Sequence, residues 1–195
     1  VGKLIVQGFI TVFGTAAIAA NAISSSVISF TNIPGGAVSL ASITIIGQAV
    51  GARRHDEALY WGKRLLLISY IAMASLSIPG FFLTPTVVGI FNLSPEASAI
   101  AVTVIKATMI MGSLLWSPSF GIPNFLRAAG DAKYTMGVSM FSMWLFRVGV
   151  SYFLAISLGW GVYGVWIGMY IDWICRSILF VQRFLRGKWR TKTVI

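Results

Sequence analysis

Four ionisable side chains, Lys106, Arg147, Asp172 and Arg176, stand inside stretches of sequence that are otherwise almost wholly apolar. If such stretches cross a bilayer, a charge near the centre costs at least about 2.5 to 3.5 kcal/mol on insertion scales, so each needs a partner or an aqueous cavity. Asp172 and Arg176 are spaced i, i+4 with the acid first, which favours pairing on one helix face, and they are expected to neutralise each other. The spacing leaves open whether the pair only lets its helix insert or lies on the path of a solute or proton. Lys106 is close enough to the end of its stretch to snorkel outward. Arg147, near the middle of its own, has no such outlet.

Uncharged polar residues recur in the same stretches: Gln7, Asn21, the run Ser24, Ser25 and Ser26, then Asn32, Gln48 and Asn124. Buried amides and hydroxyls can join helices at about 1 kcal/mol each, and several together would line a cavity for polar solutes. Enzymatic chemistry finds little support. His55 has no second histidine anywhere, Asp56 and Glu57 are adjacent and balance the neighbouring arginines, and the chain has neither a GxxxxGK[ST] loop nor a GxSxG elbow. The lone Cys175 excludes an internal disulfide and a cysteine-based zinc site. No catalytic group, metal site or bound cofactor is expected.

The elements that must position these residues follow from composition. The 195 residues are 57% hydrophobic and only 10% charged, far below the roughly 25% charged fraction of soluble domains. Uncharged runs at 4–52, 65–95, 107–126 and 148–171 reach the roughly 18 to 25 residues that a helix needs to cross about 30 Å of hydrocarbon. They are apolar on every face, unlike the alternating strands of a barrel. The formal charge of +10 flanks these runs and forms no basic face, so nucleic acid is not a partner; the bilayer is.

Basic residues mark the cytoplasmic side of a membrane protein. Arg53, Arg54, Lys63 and Arg64, then Arg127 and Lys133, then Arg183, Arg186, Lys188, Arg190 and Lys192 fall in alternate connections and the tail. The intervening connections, 79–96 and 157–164, have no lysine or arginine and should face outward. The expected helices are a remnant at about 2–14, then 16–51, 60–82, 97–126, 134–157 and 161–183, with a basic cytoplasmic tail over 184–195. The opening "VGKLIVQGF" suggests a fragment cut inside a membrane helix. A helix over 16–51 would measure ~52 Å, and "NIPGGA" is its expected kink, with Pro34 and Gly35 as hinge residues. Pro118, Gly121 and Pro123 form a second expected hinge in "SPSFGIPNF". The spacings Gly47/Gly51 and Gly164/Gly168 predict close helix packing.

Two stretches, "IPGGAVSLASITIIGQAVGARRHDEA" with "NFLRAAGDAKYTM", and "GVYGVWIGMYIDWICRSILFVQRFLRGKW", resemble the helix ends of the C-terminal lobe of multidrug and toxic compound extrusion (MATE) transporters. The resemblance covers nearly the whole chain. It implies an all-α membrane protein, a six-helix lobe with its first helix truncated, from a twelve-helix antiporter whose N-terminal lobe is a missing partner. Such antiporters export organic, often cationic, compounds in exchange for protons or sodium ions. The resemblance thus implies a small-molecule substrate, a coupling ion in place of a cofactor, and a multi-pass protein of the plasma (inner) membrane with a cytoplasmic C-terminus. Trp116 stands where some members carry a cation-binding acid, which shifts coupling to Asp172, to the N-terminal lobe or to a residue upstream. Gln7, Asn21, Asn32, Lys106, Arg147, Asp172 and Arg176 are the candidate pathway residues. Intramembrane Lys106 and Arg147 would equally suit an anionic substrate, as in a lipid-linked oligosaccharide flippase or polysaccharide exporter of the same superfamily. A basic tail binding anionic lipid would suit a non-transporting membrane anchor.

Overall fold

The computed structural model describes residues 2–191, and among them every regular element is helical. The helices are α1 (Gly2–Thr11), α2 (Thr15–Thr31), α3 (Ile33–Gly51), α4 (His55–Gly89), α5 (Pro95–Trp116), α6 (Ile122–Ala128), α7 (Ala132–Ser142) and α8 (Gly161–Leu185). Three π segments interrupt them, at Ser117–Gly121, Met143–Val150 and Phe153–Ser157, and a short 3-10 turn, Lys188–Thr191, follows α8. Among the described residues, five continuous helical stretches are long and apolar enough to cross a membrane: Ile33–Gly51, His55–Gly89, Pro95–Ala128, Ala132–Ser157 and Gly161–Leu185.

Local sequence explains most of the boundaries. The stretch expected as one helix over 16–51 is two, separated at Asn32, because Pro34 has no N–H to give the Phe30 carbonyl; regular bonding resumes with Gly36 N–H to Asn32 O at 2.9 Å. Arg53, with φ of 60°, turns the end of α3, and Arg54 N–H closes it on the Ala49 carbonyl at 2.9 Å. Only 52–54 then separate α3 from α4, which begins at His55 and not near 60, with Asp56 and Glu57 in its first turn where the helix dipole favours acids. α4 also runs on through Pro79 and Pro85 to Gly89, past the expected end at 82. In an apolar surround no water can take over freed carbonyls, so a kinked helix costs less than an ended one. α5 starts under a Ser94 cap that accepts the Ala97 N–H at 3.3 Å, with Pro95 in its first turn.

The chain divides into two compact units. The first comprises the stretch up to Thr31, Leu76–Met111 and Phe141–Asp172; the second comprises Asn32–Ser75, Gly112–Met140 and the residues from Trp173 on. In the first, Ala20, Val88, Ala97, Ala101, Ile105 and Met109 form a buried core. α8 meets the π segment at Phe153–Ser157 through Gly164, where an added Cβ would stand 2.7 Å from the Ala155 nitrogen.

The second unit's core gathers Ile46, Leu65, Phe125, Leu126, Phe180 and Trp189. Residues 187–190, within the expected basic tail, pack onto this core. Gly187, at φ 65°, turns the chain back, Trp189 is fully buried edge-on against Phe125, and its indole N–H bonds the Phe184 carbonyl at 3.1 Å. Arg190 reaches Asp56 at 3.1 Å. Lys192 and the residues beyond it lie outside the described residues. Glycine pairs behave unequally: Gly47 and Gly51 have open space where a side chain would be, contrary to the packing expected of them, whereas Gly164 and Gly168 are pressed against backbone.

Candidate functional site

Asp172, fully buried, is the focus of the first unit. One carboxylate oxygen accepts a hydrogen bond from the Ser142 hydroxyl at 2.6 Å, and the other faces a guanidinium nitrogen of Arg147 at 3.9 Å. Arg147 itself is 18% exposed. Ser142 ends α7 and Arg147 lies in the π segment that follows. Residues five apart on an α-helix point about 140° away from each other, at 3.6 residues per turn. A π turn, bonded i to i+5, brings them back to one side. The π segment is what lets Ser142 and Arg147 address the same carboxylate. Nearby, Tyr170 of α8 and Thr108 of α5 share a hydroxyl–hydroxyl bond of 2.6 Å, and Thr108 also donates to the Val104 carbonyl at 2.8 Å. Ser151 donates to the Val165 carbonyl at 3.2 Å, directly against Gly168.

The second unit holds a hydroxyl network around the expected hinge at Pro118, Gly121 and Pro123. The segment Ser117–Gly121 is a π-helix, and Pro118 has no N–H for the Leu114 carbonyl; the Tyr70 hydroxyl takes that place at 3.2 Å. Ser177 donates to the Leu115 carbonyl at 3.3 Å, and Ser119 to the Trp173 carbonyl at 2.8 Å. Ser69 and Ser117 are joined at 2.8 Å. Asn124 donates to Ser39 and accepts from Arg127 at 2.6 Å. Ser39, Ser42 and Ser69 open onto a cavity of about 20 Å³ that Leu65, Phe125 and Phe184 also line, room for about one water. At Gly35, beside Pro34, Trp116 and Met73 approach within 2.6 and 2.7 Å of where a Cβ would be.

The remaining candidates fall as follows. Gln7 and Asn21 meet, the Asn21 amide donating to the Gln7 carbonyl at 3.1 Å. Asn32 is half-buried at the start of α3. Lys106 is half-buried with its ammonium 5.3 Å from the Phe81 ring centre. Arg176 lies over the Phe120 ring at 5.4 Å, and Arg147, for which the sequence offered no partner, faces Asp172. Three residues escaped the sequence reading. Ser142 carries no signal, since its role depends on a π turn. Trp189 was hidden among basic residues. Asp131, 3% exposed, accepts two bonds from Arg183 at 2.7 and 3.2 Å, and Arg183 covers the Tyr134 ring at 4.5 Å; an acid alone among the bases of "RAAGDAK" was its signal.

Long apolar helices broken at π segments, with a buried carboxylate and hydroxyl-served carbonyls at the breaks, define an all-α, multi-pass membrane protein. The MatE family model matches residues 1–153, and the chain belongs to that family. It is 30% identical, over 97% of its length, to the "Uncharacterized transporter YisQ" of Bacillus subtilis, and 26% identical over its full length to the "Probable multidrug resistance protein NorM" of Thermotoga maritima. It spans 42% of the length of each, about two fifths. A solved structure described as the "Outward-facing conformation of a multidrug resistance MATE family transporter of the MOP superfamily" superposes with a TM-score of 0.88 at 16% identity, over 99% of this chain and 43% of that one.

Proposed function

We propose that this chain is the C-terminal lobe of a secondary active antiporter that exports organic, often cationic, compounds in exchange for protons or sodium ions, without chemical transformation. Its partner is an N-terminal lobe of the same protein, and the two sit in the plasma membrane with the basic connections and the C-terminus in the cytoplasm. The observation that carries the reading is Asp172, a carboxylate with no exposed surface held between Ser142 and Arg147 among apolar helices. An acid within a membrane-spanning helix is costly to bury, and such residues mark solute, ion or proton pathways. Gln7, Asn21, Asn32, Lys106 and Arg176 supply further polar groups, and Pro34, Pro118, Gly121 and Pro123 supply bends in the helices that carry them. In full-length protein, Asp172→Asn should abolish efflux of a fluorescent cationic dye from cells lacking other pumps while leaving the protein in the membrane. Efflux at the wild-type rate would end this reading.

A second reading, export of an anionic lipid-linked or polymeric saccharide, draws on Lys106 and Arg147 within the spans. In that case Lys106→Gln would impair transport more than Asp172→Asn does.

A further inference from the structure

α4 carries a single buried stripe along its whole length: Ala58, Gly62, Leu65, Ser69, Met73, Ser77, Thr84 and Val88, at steps of three, four or seven. Directly opposite lie Tyr60, Arg64, Leu67 and Ile71, flanked by Trp61 and Ile68 on one side and Lys63 on the other, all exposed. Over 60–71, then, the outward face of α4 presents two aromatics, two cations and the aliphatic Leu67, Ile68 and Ile71. Tyr60 and Trp61 are 5.6 Å apart edge-to-face, and the Arg64 guanidinium lies 5.3 Å from the Tyr60 ring centre. This is the order of groups met on passing from a headgroup layer into hydrocarbon, where indole and phenol rings favour the interface.

The two cations lack carboxylates. No acid stands within four residues of Lys63 or Arg64 on α4. The acids nearest in the second unit are held by other arginines: Asp56 by Arg190 at 3.1 Å, Glu57 by Arg54 at 2.9 Å, and Asp131 by Arg183 at 2.7 Å. Among the described residues neither Lys63 nor Arg64 has an ion-pair partner. A cationic pair at headgroup depth, above an aliphatic strip that matches acyl chains, calls for a phosphate with no ammonium of its own.

We infer that the outward face of α4 at Tyr60, Trp61, Lys63 and Arg64 is a binding site for an anionic phospholipid, with the phosphate at Lys63 and Arg64 and an acyl chain along Leu67, Ile68 and Ile71. The site is on α4 and not in the C-terminal residues, whose Trp189 is packed inward and whose Arg190 is engaged by Asp56. Two juxtamembrane cations favour an anionic over a zwitterionic lipid by on the order of tenfold.

Tryptophan fluorescence of the full-length protein in phosphatidylcholine bilayers tests this, using brominated phosphatidylglycerol and brominated phosphatidylcholine as quenchers at equal mole fraction. The brominated phosphatidylglycerol should quench more strongly. That excess should vanish in Trp61→Phe, which removes the reporter, and in Lys63→Gln with Arg64→Gln, which removes the charge; it should survive in Arg64→Lys. Lys63→Gln alone, a change at an exposed position, should reduce it. Equal quenching by the two lipids in the wild-type protein overturns the inference, as does an excess that persists in Trp61→Phe or in the charge-removed double variant.

Discussion

Adding one methyl group at Gly168 should destabilise the protein, and adding one at Gly47 should not, although both glycines occupy the same kind of four-residue spacing in sequence. At Gly168 the new Cβ would stand 2.2 Å from the Ser151 hydroxyl oxygen, 2.8 Å from the Ser151 nitrogen and 2.9 Å from its Cα; at Gly164 it would stand 2.7 Å from the Ala155 nitrogen and 2.8 Å from the Leu154 carbonyl carbon. Ordinary contact begins near 3.4 Å. Most of these atoms are backbone and cannot rotate aside, and turning the Ser151 hydroxyl away would break its bond to the Val165 carbonyl. Helix α8 must therefore retreat from the π segments, loosening the helix that carries Asp172. Overpacking of this kind costs about 1 to 3 kcal/mol, against a helix-propensity gain of about 1 kcal/mol for alanine over glycine. The net loss for Gly168→Ala is then up to about 2 kcal/mol. At Gly47 nothing stands within 4 Å, so only the propensity gain remains, up to about 1 kcal/mol of stabilisation. Reversible unfolding in mixed detergent micelles, followed by tryptophan emission, measures both. A Gly168→Ala protein stabilised as much as Gly47→Ala, or a Gly47→Ala protein as weakened as Gly168→Ala, would refute the reasoning.

Trp189→Ala should cost about 3 to 5 kcal/mol, the usual loss for a fully buried large aromatic, and should lower the thermal midpoint in detergent; an unchanged midpoint would mean that the turn after α8 is not docked. A cysteine introduced at exposed Ala132 should react with a membrane-impermeant maleimide only after cells are permeabilised, and labelling in intact cells would reverse the proposed orientation.

The sequence by itself determined that the chain is a set of apolar helices with basic connections, because the cost of burying unpaired backbone and charge in hydrocarbon leaves few other choices for such runs. It also located the bends: "NIPGGA" separates α2 from α3, and Pro118 marks a π segment, since a residue without an N–H must break the bonding wherever it sits. Even so, Pro79 and Pro85 sit within a continuous α4; proline dictates a lost bond, and the surroundings decide whether the helix ends. Spacing alone could not separate Gly164 and Gly168 from Gly47 and Gly51, because what a missing side chain makes room for lies on another segment. Nor could it pair Asp172 with Ser142 and Arg147. Sequence arithmetic for a regular helix points those two in different directions, and only the π segment, with α8 packed against it, turns both toward one carboxylate. Trp189 and Asp131 stand among basic residues in the sequence, with nothing to show that the fold buries them, since burial is a property of what a residue packs against.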